Sequence, residues 1–354
     1  MKREENLDLL KIIACLMVIT IHVSAYYING YEKIGGSYFT IGNIWDSFAR
    51  PAVPIFVLLS GKYALSNEKN IKISYYYRKI LKNIYISTFI YSILYFVYSY
   101  FLIVVKYILN LEIEDRYSPV KQLIIGAPFY HMWYLYMAIG LYLLVPFLIR
   151  LRMKKGEKMF RNIGIFFLIL GLTVLFFQKY LEQINFYNRE DILKYLKYFW
   201  LFNQFKFISY LGYFILGYSL KDKKINFKLG VIVAFIILLI MFFIVEITKS
   251  QFYYSNNFLF VMLASLLLYL SFSNLKINKN IFWIERVTSK TFSIYLLHAG
   301  ILSVIQSFFR YILKYEINPL YGIPILIIIV FVTSYILANI IEKFKLKYIG
   351  VIYV

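Results

Sequence analysis

The chain is 354 residues long, 61% of them apolar and 16% charged, a balance that excludes an ordinary soluble domain. A net charge of +21 would point to nucleic acid in a soluble protein, but here the basic residues sit in short stretches between apolar runs, so they report topology and no nucleic-acid partner is expected. The single cysteine, Cys15, lies inside the first apolar run, which excludes an intramolecular disulfide and a cysteine-based metal cluster.

A hydrocarbon core about 30 Å thick needs roughly 20 residues of apolar helix. Runs of that kind are predicted at about 7–28, 44–65, 83–105, 131–149, 162–178, 200–220, 229–247, 257–273, 289–311 and 321–341. The first, LDLLKIIACLMVITIHVSAYYI, is too long for the core of a signal peptide and lacks a small-residue cleavage site, so it reads as a retained span. It carries Asp8, Lys11, Cys15 and His22. At about 100° per residue, the eleven steps from Lys11 to His22 return to within about 20° of the starting direction, about 16 Å further along the axis. A polar seam therefore follows one face. A structural reading stands beside the functional one: an i, i+3 ion pair between Asp8 and Lys11, a hydrogen-bonded interior His22, and Cys15 as a small packing residue.

The second run holds Asp46, Arg50, Pro51 and Pro54 ahead of FVLLSG. Arg50 falls at the depth of His22, a salt bridge to Asp46 one turn away is its structural reading, and the prolines predict a kink beside a cavity. The fourth run opens with HMWYLY, which puts His131, Trp133 and Tyr134 at the outer face. Arg150, Arg152, Lys154, Lys155 and Lys158 follow it as an anion-attracting rim, although topology alone would also collect charge there. Residues 190–206 read as amphipathic, with Tyr195, Tyr198, Phe199 and Trp200 suited to an interface. His298 lies near mid-membrane in the ninth run, within TFSIYLLHAG. The three histidines all fall in spans but are too dispersed to read as a metal site, and no HExxH, Gly-x-Ser-x-Gly, phosphate-loop or dinucleotide pattern is present.

Ten spans put both termini on one side. Of 39 Lys and Arg, 24 fall in segments on that side, 12 on the other, and Lys11, Arg50 and Lys62 within spans. The basic side is expected to be cytoplasmic. The expected fold is an all-α polytopic bundle of about ten transmembrane helices, one membrane domain over 1–354, without the repeat expected of an inverted-repeat transporter. Ionisable groups inside spans cost roughly 2.5–3.5 kcal/mol each on insertion scales, so they form the short list of functional candidates.

Several of these segments together resemble the acyltransferase type 3 family of membrane enzymes. LDLLKIIACLMVITIHVS is similar to its first span, in which an arginine, ten residues and a histidine form the best-known motif; here the spacing is kept and Lys11 stands where arginine is usual. ARPAVPIFVLLSGKYAL, HMWYLYMAIGLYLLVPFL, YLGYFILGYSL and TFSIYLLHAGIL resemble later family segments in the family's order. The resemblance implies transfer of an acetyl or related acyl group from cytoplasmic acyl-coenzyme A, a co-substrate and not a bound cofactor, to hydroxyls of a surface polysaccharide or its lipid-linked precursor. It implies a multi-pass protein of the bacterial plasma membrane, with lipid around it and room for a separate envelope partner.

By the same resemblance His22 is the catalytic position, as general base or transient acyl acceptor, and Arg50 and Lys11 occupy basic positions. Arg50 is expected to stabilise developing charge. Lys11 is the donor-side candidate, although a lysine neutralises phosphate as a point charge without arginine's fork. His131, Trp133 and Tyr134 are candidates for the acceptor entrance. His298 is a candidate for the acyl route or for structure, and Asp8 and Asp46 for structural ion pairs. The rival expectation is an exporter of surface polysaccharide or precursor using the same polar seam without acyl-transfer chemistry; a structural or sensory protein would leave the seam unexplained.

Overall fold

The structure, a computed structural model, describes residues 4–30, 36–110, 118–183, 206–223, 225–277 and 281–344. Their regular structure is helical throughout. In hydrocarbon a helix satisfies its own backbone groups, which is why apolar runs this long fold this way. Seven helical stretches are long and apolar enough to cross a membrane: Glu5–Asn29, Ile86–Ile108, Trp133–Tyr180, Phe227–Thr248, Gln251–Ser273, Thr291–Ile312 and Pro319–Lys343.

Three predicted segments take a different form. The 44–65 run is two helices, α2 (Gly36–Ala49) and α3 (Ala52–Ser66). Pro51 has no N–H for the carbonyl of Ser47 and restrains Arg50 before it, so the ladder breaks there. The runs at 131–149 and 162–178 are arms of one continuous stretch, α7 (Trp133–Gln183), broken at Gly156 (φ 80°, ψ 165°). Only a glycine adopts that conformation without strain. In the 200–220 run, residues 207–219 form α8 (Phe207–Ser219). The amphipathic stretch containing Tyr195, Tyr198, Phe199 and Trp200 lies outside the described residues.

The chain divides into two compact units. The first comprises Met1–Tyr63 and Leu216–Val351. It contains α1 (Glu5–Asn29), α2, most of α3, α9 (Phe227–Thr248), α10 (Leu259–Ser273), the short α11 (Phe282–Thr288), α12 (Thr291–Ser307) and α13 (Pro319–Lys343). Side-chain contacts fix the direction of each. Asp46 meets Ser24 and Lys62 meets Glu4, so α2 and α3 together descend the whole length of α1. α9 runs against α2, through Asn43 to Glu246 at one end and Phe48 on Phe235 at the other. Asn6 donates to the carbonyls of Phe272 and Ser273, which places the end of α10 beside the start of α1. Tyr27 donates to the carbonyl of Ile317 just before α13, and Lys290 pairs with Glu342 at its end. α1 therefore starts, and α13 finishes, at the same end of this unit.

Lipid supplies no hydrophobic drive between helices, so close packing must hold them. The carbonyl of Gly217 accepts from Tyr269, and a Cβ on Gly217 would collide with the backbone of Leu58. α1, α12 and α13 share a core of Cys15, Ile19, Val23, Leu302, Leu326 and Val330.

The second unit comprises Ala64–Ile215, with the last three residues assigned to it. Its helices are α4 (Ile73–Ile80), α5 (Ile86–Ile108), α6 (Pro119–Ile124), α7 and most of α8. α5 runs against the first arm of α7, with Ser92 bonded to Tyr136 at 2.9 Å and Ser99 donating to the carbonyl of Pro128. One expectation is corrected here. Arg152 is no part of an open rim: it is 6% exposed, donates to the carbonyl of Leu65 at 3.0 Å and lies 3.7 Å from Glu68 and 3.9 Å from Glu157. A guanidinium that can cap a helix end and meet two carboxylates is better placed inside than in water. Arg150, Lys154, Lys155 and Lys158 are exposed.

Candidate functional site

The polar seam of α1 faces α12, and the two helices run parallel. The Cys15 thiol lies 3.9 Å from the carbonyl of Thr291, and seven residues further along each helix the ring of His22 stacks on that of His298, with centroids 5.3 Å apart and planes 28° apart. His298 is fully buried, whereas His22 is half-buried and remains open to a ligand. The Nδ1 of His298 is 2.6 Å from the carbonyl of Tyr295. A carbonyl only accepts, so Nδ1 carries the hydrogen and the tautomer of His298 is set.

Arg50 stands at the break between α2 and α3. Its Nε donates to Asp46 at 2.6 Å, a second guanidinium nitrogen joins the same carboxylate, and the other carboxylate oxygen accepts from Ser24 at 3.2 Å. Asp46 is fully buried and the Arg50 side chain is 21% exposed. A buried carboxylate is tolerable only with partners of this kind, and these three bonds supply them. The face of Tyr254 lies 4.2 Å beneath the guanidinium, a cation–π contact that flattens the fork against a wall. Ser24 lies two residues beyond His22, and the charge of Arg50 falls within electrostatic reach of that imidazole.

The network extends further than the sequence indicated. Tyr254 donates to Asn43 at 2.5 Å, as does Ser47 at 2.8 Å, and the Asn43 amide donates to Glu246 at 2.9 Å. Glu246 also accepts from Thr40 at 2.7 Å and pairs with Lys249 at 2.5 Å. Glu246 was visible as the lone carboxylate of the 229–247 run, and the rule that singled out Asp46 applies to it equally. Asn43, Tyr254 and Ser24 are uncharged and carried no such signal.

Asp8 and Lys11 lie at the other end of α1, where the Asp8 carbonyl accepts from Thr288 at 3.3 Å and Lys11 is half-buried. His131, Trp133 and Tyr134 belong to the second unit. His131 is 1% exposed, edge-on to Tyr95 at 4.9 Å and close to Phe129 and Tyr130. Trp133 and Tyr134 are half-buried, and the Lys206 ammonium lies 5.1 Å from the Trp133 ring. Of the sequence candidates, then, the structure gathers His22, His298, Arg50 and Asp46 in one unit.

Membrane-length helices that turn imidazole, guanidinium and carboxylate groups into the interior of a bundle define a multi-pass membrane protein with an enclosed polar site. The chain belongs to the acyltransferase type 3 family, whose model, described as an acyltransferase domain, matches residues 4–339. That match spans every residue of the site and nearly the whole chain, and it makes the protein a membrane acyltransferase. No curated protein and no solved structure matches it.

Proposed function

We propose that the protein moves an acetyl or related acyl group from cytoplasmic acyl-coenzyme A to a hydroxyl of a cell-surface polysaccharide or its lipid-linked precursor. The observation that carries this reading is the stacked pair of His22 and His298 beside a guanidinium fixed by Asp46 and Tyr254. His22 takes the proton of the acceptor hydroxyl as its oxygen attacks the thioester carbonyl, or receives the acyl group transiently itself. The C–S bond breaks, the thiolate leaves, and the proton returns to sulfur, so that thioester and alcohol become ester and thiol. Arg50 faces the charge that develops on the carbonyl oxygen. His298 holds His22 by stacking, Lys11 meets the donor's phosphates, and Trp133 and Tyr134 offer aromatic surface to the sugar, with His131 packed at the start of their helix. Exclusion of water by the bundle protects the thioester from hydrolysis.

The reading includes ten crossings in one membrane domain, both termini in the cytoplasm and residence in the bacterial plasma membrane. The parallel run of α1 and α12 supports it, because parallel spans require an odd number of crossings between them and ten spans place seven there. Reporter fusions at Val354 and near Glu114 are expected on opposite sides, with Val354 inside; an external Val354 overturns the orientation. For the chemistry, labelled acyl-coenzyme A given on the cytoplasmic side of sealed, oriented vesicles should yield labelled ester on acceptor at the other side. Polymer that moves across without gaining label would identify an exporter.

A further inference from the structure

Between Glu68 and Glu112 the sequence contains no Asp or Glu, while Lys72, Arg78, Lys79 and Lys82 crowd its beginning. The fold places these cations on and beside α4, immediately before the membrane-length α5. α4 is two-sided: Tyr76 and Ile80, one turn apart, are buried, whereas Ser74, Tyr75 and Arg78 are exposed. Its foot is tied to the basic end of the first arm of α7, where Arg150 donates to the carbonyl of Ile71 at 3.4 Å. A short helix with tyrosines, cations and one buried stripe at the foot of a span has the composition of an interfacial helix.

Beside it is a cavity of about 410 Å³, lined by Ser74, Tyr77, Arg78, Ile80, Tyr85 and Leu143. Tyr77 donates to the carbonyl of Leu143 at 2.8 Å, which fixes one wall. The buried cations Arg152, Lys62 and Lys290 each meet a carboxylate. Arg78, Lys79 and Lys82 form no ion pair among the described residues. The cavity thus combines a mostly apolar lining with a fork-shaped cation at its rim and further positive charge next to it.

We propose that this cavity seats an anionic membrane phospholipid. Arg78 receives the phosphate through its paired N–H donors, Lys79 and Lys82 add attraction, and the first carbons of an acyl chain lie along Tyr77, Tyr85 and Leu143. A phosphate group alone would be served by Arg78 in water; the apolar wall at headgroup level is what selects a lipid. This assignment is independent of the acyl-transfer reading and stands or falls separately from it.

The test uses the full chain in nanodiscs of phosphatidylcholine, with or without phosphatidylglycerol, read by native mass spectrometry and thermal unfolding. The wild type should retain phosphatidylglycerol and unfold at a higher temperature in its presence. Arg78→Gln should lose that retention by about tenfold, the equivalent of 1.4 kcal/mol, and lose the thermal shift. Arg78→Lys should keep part of both, and Lys155→Gln should keep them in full. Equal retention by wild type and Arg78→Gln overturns the proposal. Displacement of the lipid by acyl-coenzyme A or inorganic phosphate overturns it as well, by assigning the cavity to a soluble phosphate.

Discussion

His22 and His131 are both histidines associated with apolar runs, yet the two units treat them differently. His22 keeps part of its surface open, stacks on a second imidazole and lies within reach of a guanidinium. His131 is enclosed by Tyr95, Phe129 and Tyr130, whose faces and edges offer it packing and little charge. Sequence position alone would rank them alike. The difference lies in the neighbours: an imidazole set among fixed charges has a gradient along which to move a proton, and one set among phenyl and phenol rings has mainly shape to contribute.

The largest expected contrast is in turnover. His22→Ala should reduce acyl transfer by about 10²–10⁴-fold with folded protein in the membrane near the wild-type amount. His131→Phe, close in volume and at home among rings, should cost under about 1.5 kcal/mol of stability and leave transfer largely intact. Comparable inactivation by both, at equal abundance, would erase the distinction.

Next in size is the cost of stranding a charge. Arg50→Ala leaves the Asp46 carboxylate buried with Ser24 as its remaining printed partner, and should destabilise the protein by about 3–5 kcal/mol. Adding Asp46→Asn in the same chain should recover much of the unfolding temperature without recovering transfer. If the double variant regains activity, Arg50 acts only as a structural counter-ion.

A smaller effect is expected where one imidazole supports the other. His298→Phe retains a ring under His22 and removes the ring nitrogen that bonds the Tyr295 carbonyl, and should lower turnover by about tenfold, 1.4 kcal/mol. A positioning role further requires that the pH profile of the residual activity shift, since His22 would then titrate beside a different neighbour. An unshifted profile with lost protein points to packing alone. The smallest change is Tyr254→Phe, which keeps the ring beneath Arg50 and removes the hydroxyl bonded to Asn43; about 1 kcal/mol of stability is at stake. A loss as severe as that of Arg50→Ala would show that the Glu246 network, and not the ring face, holds the guanidinium.

Much of this was legible in the sequence because hydrocarbon penalises charge so strongly. Asp46, Arg50, His22 and His298 stood out as ionisable residues in apolar runs, and Pro51 announced the break beside Arg50. The stacking of His22 on His298 was not legible, since 276 positions separate them and only the packing of α1 on α12 brings them together. Arg152 looked like its exposed neighbours because a basic run carries no mark of which member turns inward to Leu65 and Glu68. Gly156 sat in the same run, where a glycine had no visible duty until its backbone angles showed it.

Thr291 and Cys15 lie two helical turns from the imidazole pair, and equal spacing along α1 and α12 makes the two contacts work like the marks of a vernier. A slip of α12 by a single turn would carry His298 about 5.4 Å out of the stack and take the Thr291 carbonyl past Cys15 in the same movement. The alignment of the catalytic rings is therefore set in part where no substrate needs to reach. A side chain as slight as a thiol at position 15 is what allows the neighbouring backbone to settle into that notch.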